Sequence, residues 1–430
     1  MSHRPNARGY AAELLHRVAF EGHSLDRILS EASPLERDRA LVHELTIGSV
    51  RHFYSLSHEI NSRLLTPLKP RDSIVFCLLL IGAYQLRHMR IPTYASVNET
   101  VNATRQIGRP WSRGLVNQVL RRVASEEVIQ TRSEEAALDH PDWLIERVRE
   151  SYPGIWREIL AVCLTRAPMS LRVNATKADA STYLKSLLAS GVSAHSGQPD
   201  GCLVLDSPTP TSSLPGFDQG LVSVQDSGAM WAAHLLSPMK GERVLDACAA
   251  PGGKAMHMLE RAPGLDLIAL DVDPDRCDQI RSECRRLGFD PALVIQGDAT
   301  NLHWWDREQF DAVLIDAPCS GTGTLRRHPD IKLLKRESDL AQYQNLQVQL
   351  LENLWHVLKP GGRLLYCTCS ILSAENDDAI ERLTSVRDDA EIEPISQDWG
   401  LAMKFGRQLL PELNGADGFY YSMVKKRSPQ

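Results

Sequence analysis

Residues 310–323 read FDAVLIDAPCSGTG. A mostly apolar run leads from Phe310 straight into Asp316, and Pro318, Cys319 and two glycines follow. A run of that length is the pattern of a strand buried on both faces of a parallel sheet. The residues after it then fall where open α/β sheets bind ligands, beyond the carboxyl ends of their strands. A carboxylate and a thiol released together at such an edge point to chemistry rather than packing. In isolation, an ordinary strand end with a turn would read the same.

Outward from this stretch, strands and helices alternate from Lys240 onward, the pattern of a doubly wound α/β sheet. The expected strands are 243–246, 267–270, 293–296, the one ending at Asp316, and 363–367. The first four end at or beside Asp246, Asp271, Asp298 and Asp316, and the last two lead to Cys319 and to CTCS at 367–370. The turn after the first strand reads ACAAPGGK. A P-loop would need Gly at 248 and Ser or Thr at 255, where Cys248 and Ala255 stand, and no G-x-G-x-x-G fingerprint is present. What remains is a Gly252-Gly253 turn in which the backbone can approach a ligand closely, with Lys254 opening the next helix. Asp271 is suited to accept both hydroxyls of a ribose. Four acidic strand ends beside one glycine-rich turn are not a set of unrelated solvated turns. Segments 407–411 and 418–424 read as a hairpin completing the sheet.

The chain of 430 residues has length for two or three domains, and its 43% hydrophobic and 24% charged content is that of a globular protein. Residues 1–135 read as helices throughout. The stretch 74–86 is apolar on nearly all sides, as a central bundle helix would be, and is well short of the ~20 residues of a membrane span. Residues 125–140 read as an acidic linker, 140–236 as a small α/β subdomain and 237–430 as the catalytic domain. The net charge is −6, but residues 1–140 carry +3 and the remainder −9. In 1–140 every basic residue except Lys69 is arginine. Arg105, Arg109, Arg113, Arg121 and Arg122 cluster around Trp111, and Arg4, Arg8 and Arg17 lie at the first helix. Arginine suits planar phosphate contacts, so this side is expected to meet a polyanion. Nine cysteines without a C-x-x-C pair exclude a disulfide framework and a structural zinc site. Reduced thiols, and a start lacking the apolar core of a signal peptide, lead us to expect a cytoplasmic chain with no metal.

Three stretches of the first block, ARGYAAELLHRV, RIPTYASVNETVNATR and GLVNQVLRRV, resemble the NusB family of small helical RNA-binding domains. The second half resembles the class I methyltransferases. Through DACAAPGGK, DAPCSGTG and CTCS it is similar to the RNA cytosine-C5 methyltransferase family, and LRVN at 171–174 and VQDSGA at 224–229 fit the same pattern. A NusB-like block ahead of such a region narrows the resemblance to the branch acting on small-subunit ribosomal RNA. The resemblance implies S-adenosylmethionine as cofactor, held by Cys248, Ala249, Ala250, Pro251, Gly252, Gly253, Lys254, Asp271, Asp298 and Asp316. It implies methylation of a cytosine in 16S ribosomal RNA, naked or in an assembling subunit, by a monomer with no DNA or membrane partner.

The chemistry explains the need for two cysteines. Carbon 5 of cytosine is a poor nucleophile until a thiolate adds to carbon 6 and turns the ring into an enamine. The site must also favour a thiolate, and a base must later remove the carbon 5 proton. Spacing alone leaves open which of Cys319 and Cys369 attacks. The family implies Cys369 as nucleophile, Cys319 as the residue promoting release, Asp316 near N3 of the ring, and Lys254 helping to hold it. The run Arg326–Asp330 reads as a substrate-facing loop with two phosphate-contacting arginines. Cys77, Cys163, Cys202, Cys277 and Cys284 read as inert, and Cys367 as structural. Two alternatives are a DNA cytosine-C5 methyltransferase, in which Cys319 would attack, and a non-catalytic RNA-binding factor on the same fold.

Overall fold

The computed structural model describes residues 6–34, 36–127, 131, 133–413 and 415–428, so Arg4 lies outside the described residues. The chain divides into two compact units, Met1–Arg166 with Leu325–Glu337, and Ala167–Thr324 with Ser338–Gln430. Among the described residues no helix is long and apolar enough to cross a membrane.

The first unit is helical. Its central helix, Ser73–His88, buries Val75 and every residue from Cys77 to Gln85, which is why it reads as apolar all round. Two glycines let neighbouring helices close on their partners. A Cβ on Gly48 would fall 2.0 Å from the Tyr84 ring, and one on Gly82 would fall 2.5 Å from Leu120. The unit runs past the boundary expected near 135–140. Helices Asp142–Ser151 and Trp156–Cys163 belong to it, and the expected linker contains the helix Glu134–Leu138, capped by Ser133.

The segment Leu325–Glu337 also folds with this unit. Asp330 accepts a 2.8 Å bond from the Leu25 backbone N–H at the start of helix Leu25–Glu31. Lys332 donates to the Arg51 and Asp139 carbonyls, and the Tyr54 hydroxyl donates to the Lys332 carbonyl. The expectation of two phosphate-contacting arginines at Arg326–Asp330 is corrected for Arg326, while Arg327 and His328 are partly exposed. Arg326 is 1% exposed, too enclosed to meet a phosphate, and its carbonyl accepts from Arg51.

The second unit holds two sheets. Strands β1 (Met169–Val173), β2 (Ala194–Ser196), β3 (Cys202–Leu205) and β4 (Val222–Val224) form an antiparallel sheet in the order β2-β3-β1-β4. The large sheet comprises β5 (Arg243–Ala247), β6 (Asp266–Asp271), β7 (Val294–Gln296), β8 (Phe310–Asp316), β9 (Leu358–Thr368), β10 (Ala390–Glu393), β11 (Leu401–Ala402), β12 (Arg407–Leu409) and β13 (Phe419–Lys426). Its order is β11-β12-β13-β9-β8-β5-β6-β7, with β10 on β13. Strands β5 to β9 run parallel, and β13 pairs antiparallel with β9 and with β12, the expected hairpin. The order reverses between β5 and β8, so the ligand crevice of this doubly wound sheet opens at their carboxyl ends. In β8, Phe310 and Ala312 to Ile315 are fully buried, each large apolar side chain contributing roughly 1.5–3 kcal/mol.

Candidate active site

Strand β5 delivers Asp246, and the chain then turns through Cys248 at φ +62° and Gly252 at φ +100°. Non-glycine residues seldom hold that left-handed conformation, so the turn is fixed from outside. The Ala249 N–H donates to the Leu270 carbonyl and the Ala250 N–H to Asp271 Oδ2 at 3.0 Å. Arg276 donates to the Ala250 carbonyl at 2.8 Å. On the far side Arg172 of β1, 1% exposed, donates to the Gly253 carbonyl at 2.8 Å and grips Glu260 through two bonds of 2.7 and 2.8 Å. The loop Cys248–Gly253 is thus held between the end of β6 and the small sheet, giving LRVN a structural reason. Asp298, after β7, accepts from the Thr300 N–H and hydroxyl.

Strands β8 and β9 deliver the reactive groups. Cys319 Sγ lies 3.4 Å from Cys369 Sγ, and both residues are partly exposed. Lys254 Nζ donates to Asp316 Oδ2 at 2.7 Å, and the Cys367 thiol donates to Asp316 Oδ1 at 3.4 Å. Cys367, expected to be structural, therefore touches the cluster. Burial alone would lower the Lys254 ammonium, but Asp316 outweighs it and keeps the lysine protonated. The two thiols are close enough for one S–H to bond to the other sulfur. Cys369, accepting the Cys319 S–H, is drawn below the usual thiol value, Lys254 helping against the opposing effects of burial and Asp316; Cys319 is pushed well up.

Of the ten residues singled out for cofactor binding, 248–254 follow β5, Asp271 ends β6, Asp298 follows β7 and Asp316 ends β8, so all lie towards the carboxyl-terminal edge of the sheet. Sequence reasoning placed Asp246 at a strand end without giving it a role. It is 0% exposed, and neither carboxylate oxygen has a hydrogen-bond partner among the described residues. Burial, then the neighbouring Asp316, push its carboxyl well above the usual range. An orphaned buried carboxyl needs an explanation, and a ligand donor is one.

In the helical unit, Arg105, Arg113 and Arg121 are exposed, as is Trp111. Tyr94, Arg113 and Arg121 line a hollow of about 1170 Å³. Other arginines of the expected basic face are engaged. Arg109 pairs with Asp72 at 3.4 Å, Arg122 with Glu126 at 3.0 Å and Arg17 with Glu31 at 2.7 Å.

Known proteins share this arrangement. A family model described as 16S rRNA methyltransferase RsmB/F matches residues 233–425, one for the NusB family matches 5–125, and one for an RsmF/B-like ferredoxin-like domain matches 140–212. The ribosomal RNA small subunit methyltransferase B of Pasteurella multocida is 42% identical over 98% of this chain and 96% of its own length. Its counterpart in Shewanella oneidensis is 40% identical over 98% and 99%. The crystal structure of PH0851 shares the fold with a TM-score of 0.81 over 98% of this chain and 99% of that one, at 22% identity. A methyltransferase homologue from Pyrococcus horikoshii covers 68% of this chain and 97% of its own, with a TM-score of 0.59 and 27% identity.

The cofactor is S-adenosylmethionine. The crevice fits it, since the unpaired Asp246 oxygens suit a cationic amine and Asp271 stands at a strand end suited to a ribose. On full-length identity to these relatives, matched domain by domain, the chain belongs to the RsmB/F family of 16S rRNA methyltransferases.

Proposed function

We propose that this methyltransferase acts on carbon 5 of a cytosine in 16S ribosomal RNA through a covalent bond between Cys369 and carbon 6. The observation that carries the reading is the pair of thiols 3.4 Å apart beside the Lys254–Asp316 ion pair. Cys369, accepting the Cys319 S–H, is the better thiolate and adds to carbon 6. Lys254, kept protonated by Asp316, presents its charge where negative charge develops on the ring. Asp316 orients the ring at N3. Addition makes carbon 5 an enamine carbon, and S-adenosylmethionine, when bound, supplies the methyl group that this carbon takes. Once Cys369 is bonded to carbon 6, Cys319 releases its S–H proton to solvent, and its thiolate then takes the carbon 5 proton. The electrons of that C–H bond form the carbon 5–carbon 6 double bond as the S–C bond breaks and Cys369 leaves as a thiolate. The regenerated Cys319 S–H stabilises that departing thiolate.

The cofactor is assigned to residues 248–254 with Asp246, Asp271, Asp298 and Asp316. The RNA is assigned in part to the exposed arginines of the helical unit. The test is a pair of substitutions. Cys369→Ala abolishes methylation, and Cys319→Ala accumulates a covalent RNA–protein adduct visible by denaturing electrophoresis. Adduct from Cys369→Ala instead would reverse the two roles, and bisulfite mapping of the product identifies the modified base.

A further inference from the structure

Cys319 and Cys369 sit on loops leaving different strands, and nothing in either loop alone fixes the distance between their sulfurs. Glu375 bonds to both loops. This residue closes the 3-10 turn Ser373–Glu375 and is 0% exposed. Its Oε1 accepts the Ser320 backbone N–H at 2.7 Å, and its Oε2 accepts the Ser320 hydroxyl at 2.5 Å and the Ser370 hydroxyl at 2.6 Å. Ser320 follows Cys319 and Ser370 follows Cys369, so one carboxylate holds the residue after each thiol. Thr322 reinforces the tie, meeting the Ser370 hydroxyl at 3.1 Å and accepting the Ile371 N–H at 3.1 Å. The Gly323 N–H donates to the Cys369 carbonyl at 2.9 Å. The turn itself is anchored where the Tyr366 hydroxyl donates to the Glu375 carbonyl at 2.7 Å.

A carboxylate is the side chain this position calls for. It accepts several bonds and donates none, and the groups aimed at it are donors: the Ser320 N–H, the Ser320 and Ser370 hydroxyls, and the Gln347 side chain. Burial pushes the Glu375 carboxyl above the usual carboxylate range, and the donors offset only part of that rise. A buried charge of this kind is tolerated only where its bonds are made, and a satisfied buried network is rigid.

We propose that Glu375 is a positioning residue that sets the spacing of the Cys319–Cys369 thiol pair by binding Ser320 and Ser370 to a single carboxylate. The spacing itself is independent of the reaction. Only the kinetic arm of the test rests on the methylation reading above.

Phenylarsine oxide reads the spacing directly in the full-length protein. Its arsenic forms two As–S bonds to a thiol pair, and its oxygen leaves as water with the two thiol protons. Capture by the second thiol is intramolecular, so it depends on how well the pair is held. Wild-type protein binds one equivalent at the pair, and Cys369→Ala removes that binding. Glu375→Leu, which keeps bulk but has no acceptor, is expected to weaken capture at least about tenfold while S-adenosylmethionine binding is retained. Glu375→Gln, with one acceptor oxygen, recovers part of the loss. In methyl transfer, Glu375→Leu lowers kcat by about 10²-fold with KM for RNA unchanged, the effect of displacing a reacting group by ~1 Å.

Wild-type arsenical affinity in Glu375→Leu overturns the proposal. If that variant does not fold, Ser370→Ala, which cuts the tie to the Cys369 loop alone, carries the test with the same two outcomes. Loss of capture in Glu375→Leu together with no RNA adduct from Cys319→Ala supports the clamp and refutes the methylation chemistry.

Discussion

The Sγ atoms of Cys319 and Cys369 are 3.4 Å apart, with the Lys254 ammonium favouring charge on Cys369. The two residues therefore titrate as one pair. Removing Cys319 takes away the S–H that draws Cys369 down, so the Cys369 value rises. The pH midpoint of Cys369 alkylation by iodoacetamide, followed by peptide mapping, is expected to move to higher pH in Cys319→Ala. A midpoint that stays or falls would place the thiolate on Cys319.

Asp246 illustrates stability set against binding. Its carboxyl is buried, unpaired and close to Asp316. Its raised value means that ionisation opposes folding as pH rises towards neutrality. Asp246→Asn is expected to raise the stability of the cofactor-free protein by about 1 kcal/mol or more while weakening S-adenosylmethionine binding at least roughly tenfold. Thermal melts and calorimetry check the two halves separately. A variant that binds the cofactor like wild type would remove Asp246 from the site.

How much of this was legible in the sequence follows from the range of each interaction. Strand β8 could be read because burial on both faces leaves an unbroken apolar run, and Asp316, Cys319 and Cys369 stand directly at strand ends. Arg172 could not be read, because its partner carbonyl at Gly253 is 81 residues away and no local spacing records it. Glu375 is a single acid among other acids. Arg326 looked like a surface arginine because its surroundings come from helices some 275 residues earlier.

Lys332 supplies a pH signature for the helical unit. Burial brings its ammonium down to about 8, against the opposing pull of Asp139. The unfolded chain thus binds more protons than the folded one between about pH 8 and the ordinary lysine value, and stability rises with pH across that window. Relative to Lys332→Met, wild-type stability is expected to gain up to about 3 kcal/mol from pH 8 to 10.5, measured by denaturant melts. Parallel curves for the two proteins would contradict this.

For RNA, the exposed arginines give a separable expectation. Arg105→Gln, Arg113→Gln and Arg121→Gln should each weaken binding across sequences and reduce the salt slope of log K by about 0.7–1. Filter binding between low and moderate salt measures it. Arg122→Gln, whose guanidinium is occupied by Glu126, should leave the slope unchanged.

The capture of Leu325–Glu337 by the helical unit has a consequence for how the chain is made. The first 166 residues leave the ribosome well before the piece that completes them. At elongation rates of about 5–20 residues per second that interval is roughly 10–30 s. Until then the Leu25 N–H lacks Asp330, and the Arg51 and Asp139 carbonyls lack Lys332. Because Cys319 precedes that piece, the helical unit can finish folding only after the first of the two thiols has been synthesised. Nascent chains stalled before residue 325 are expected to carry a protease-sensitive amino-terminal half, and those stalled well beyond 337 a resistant one.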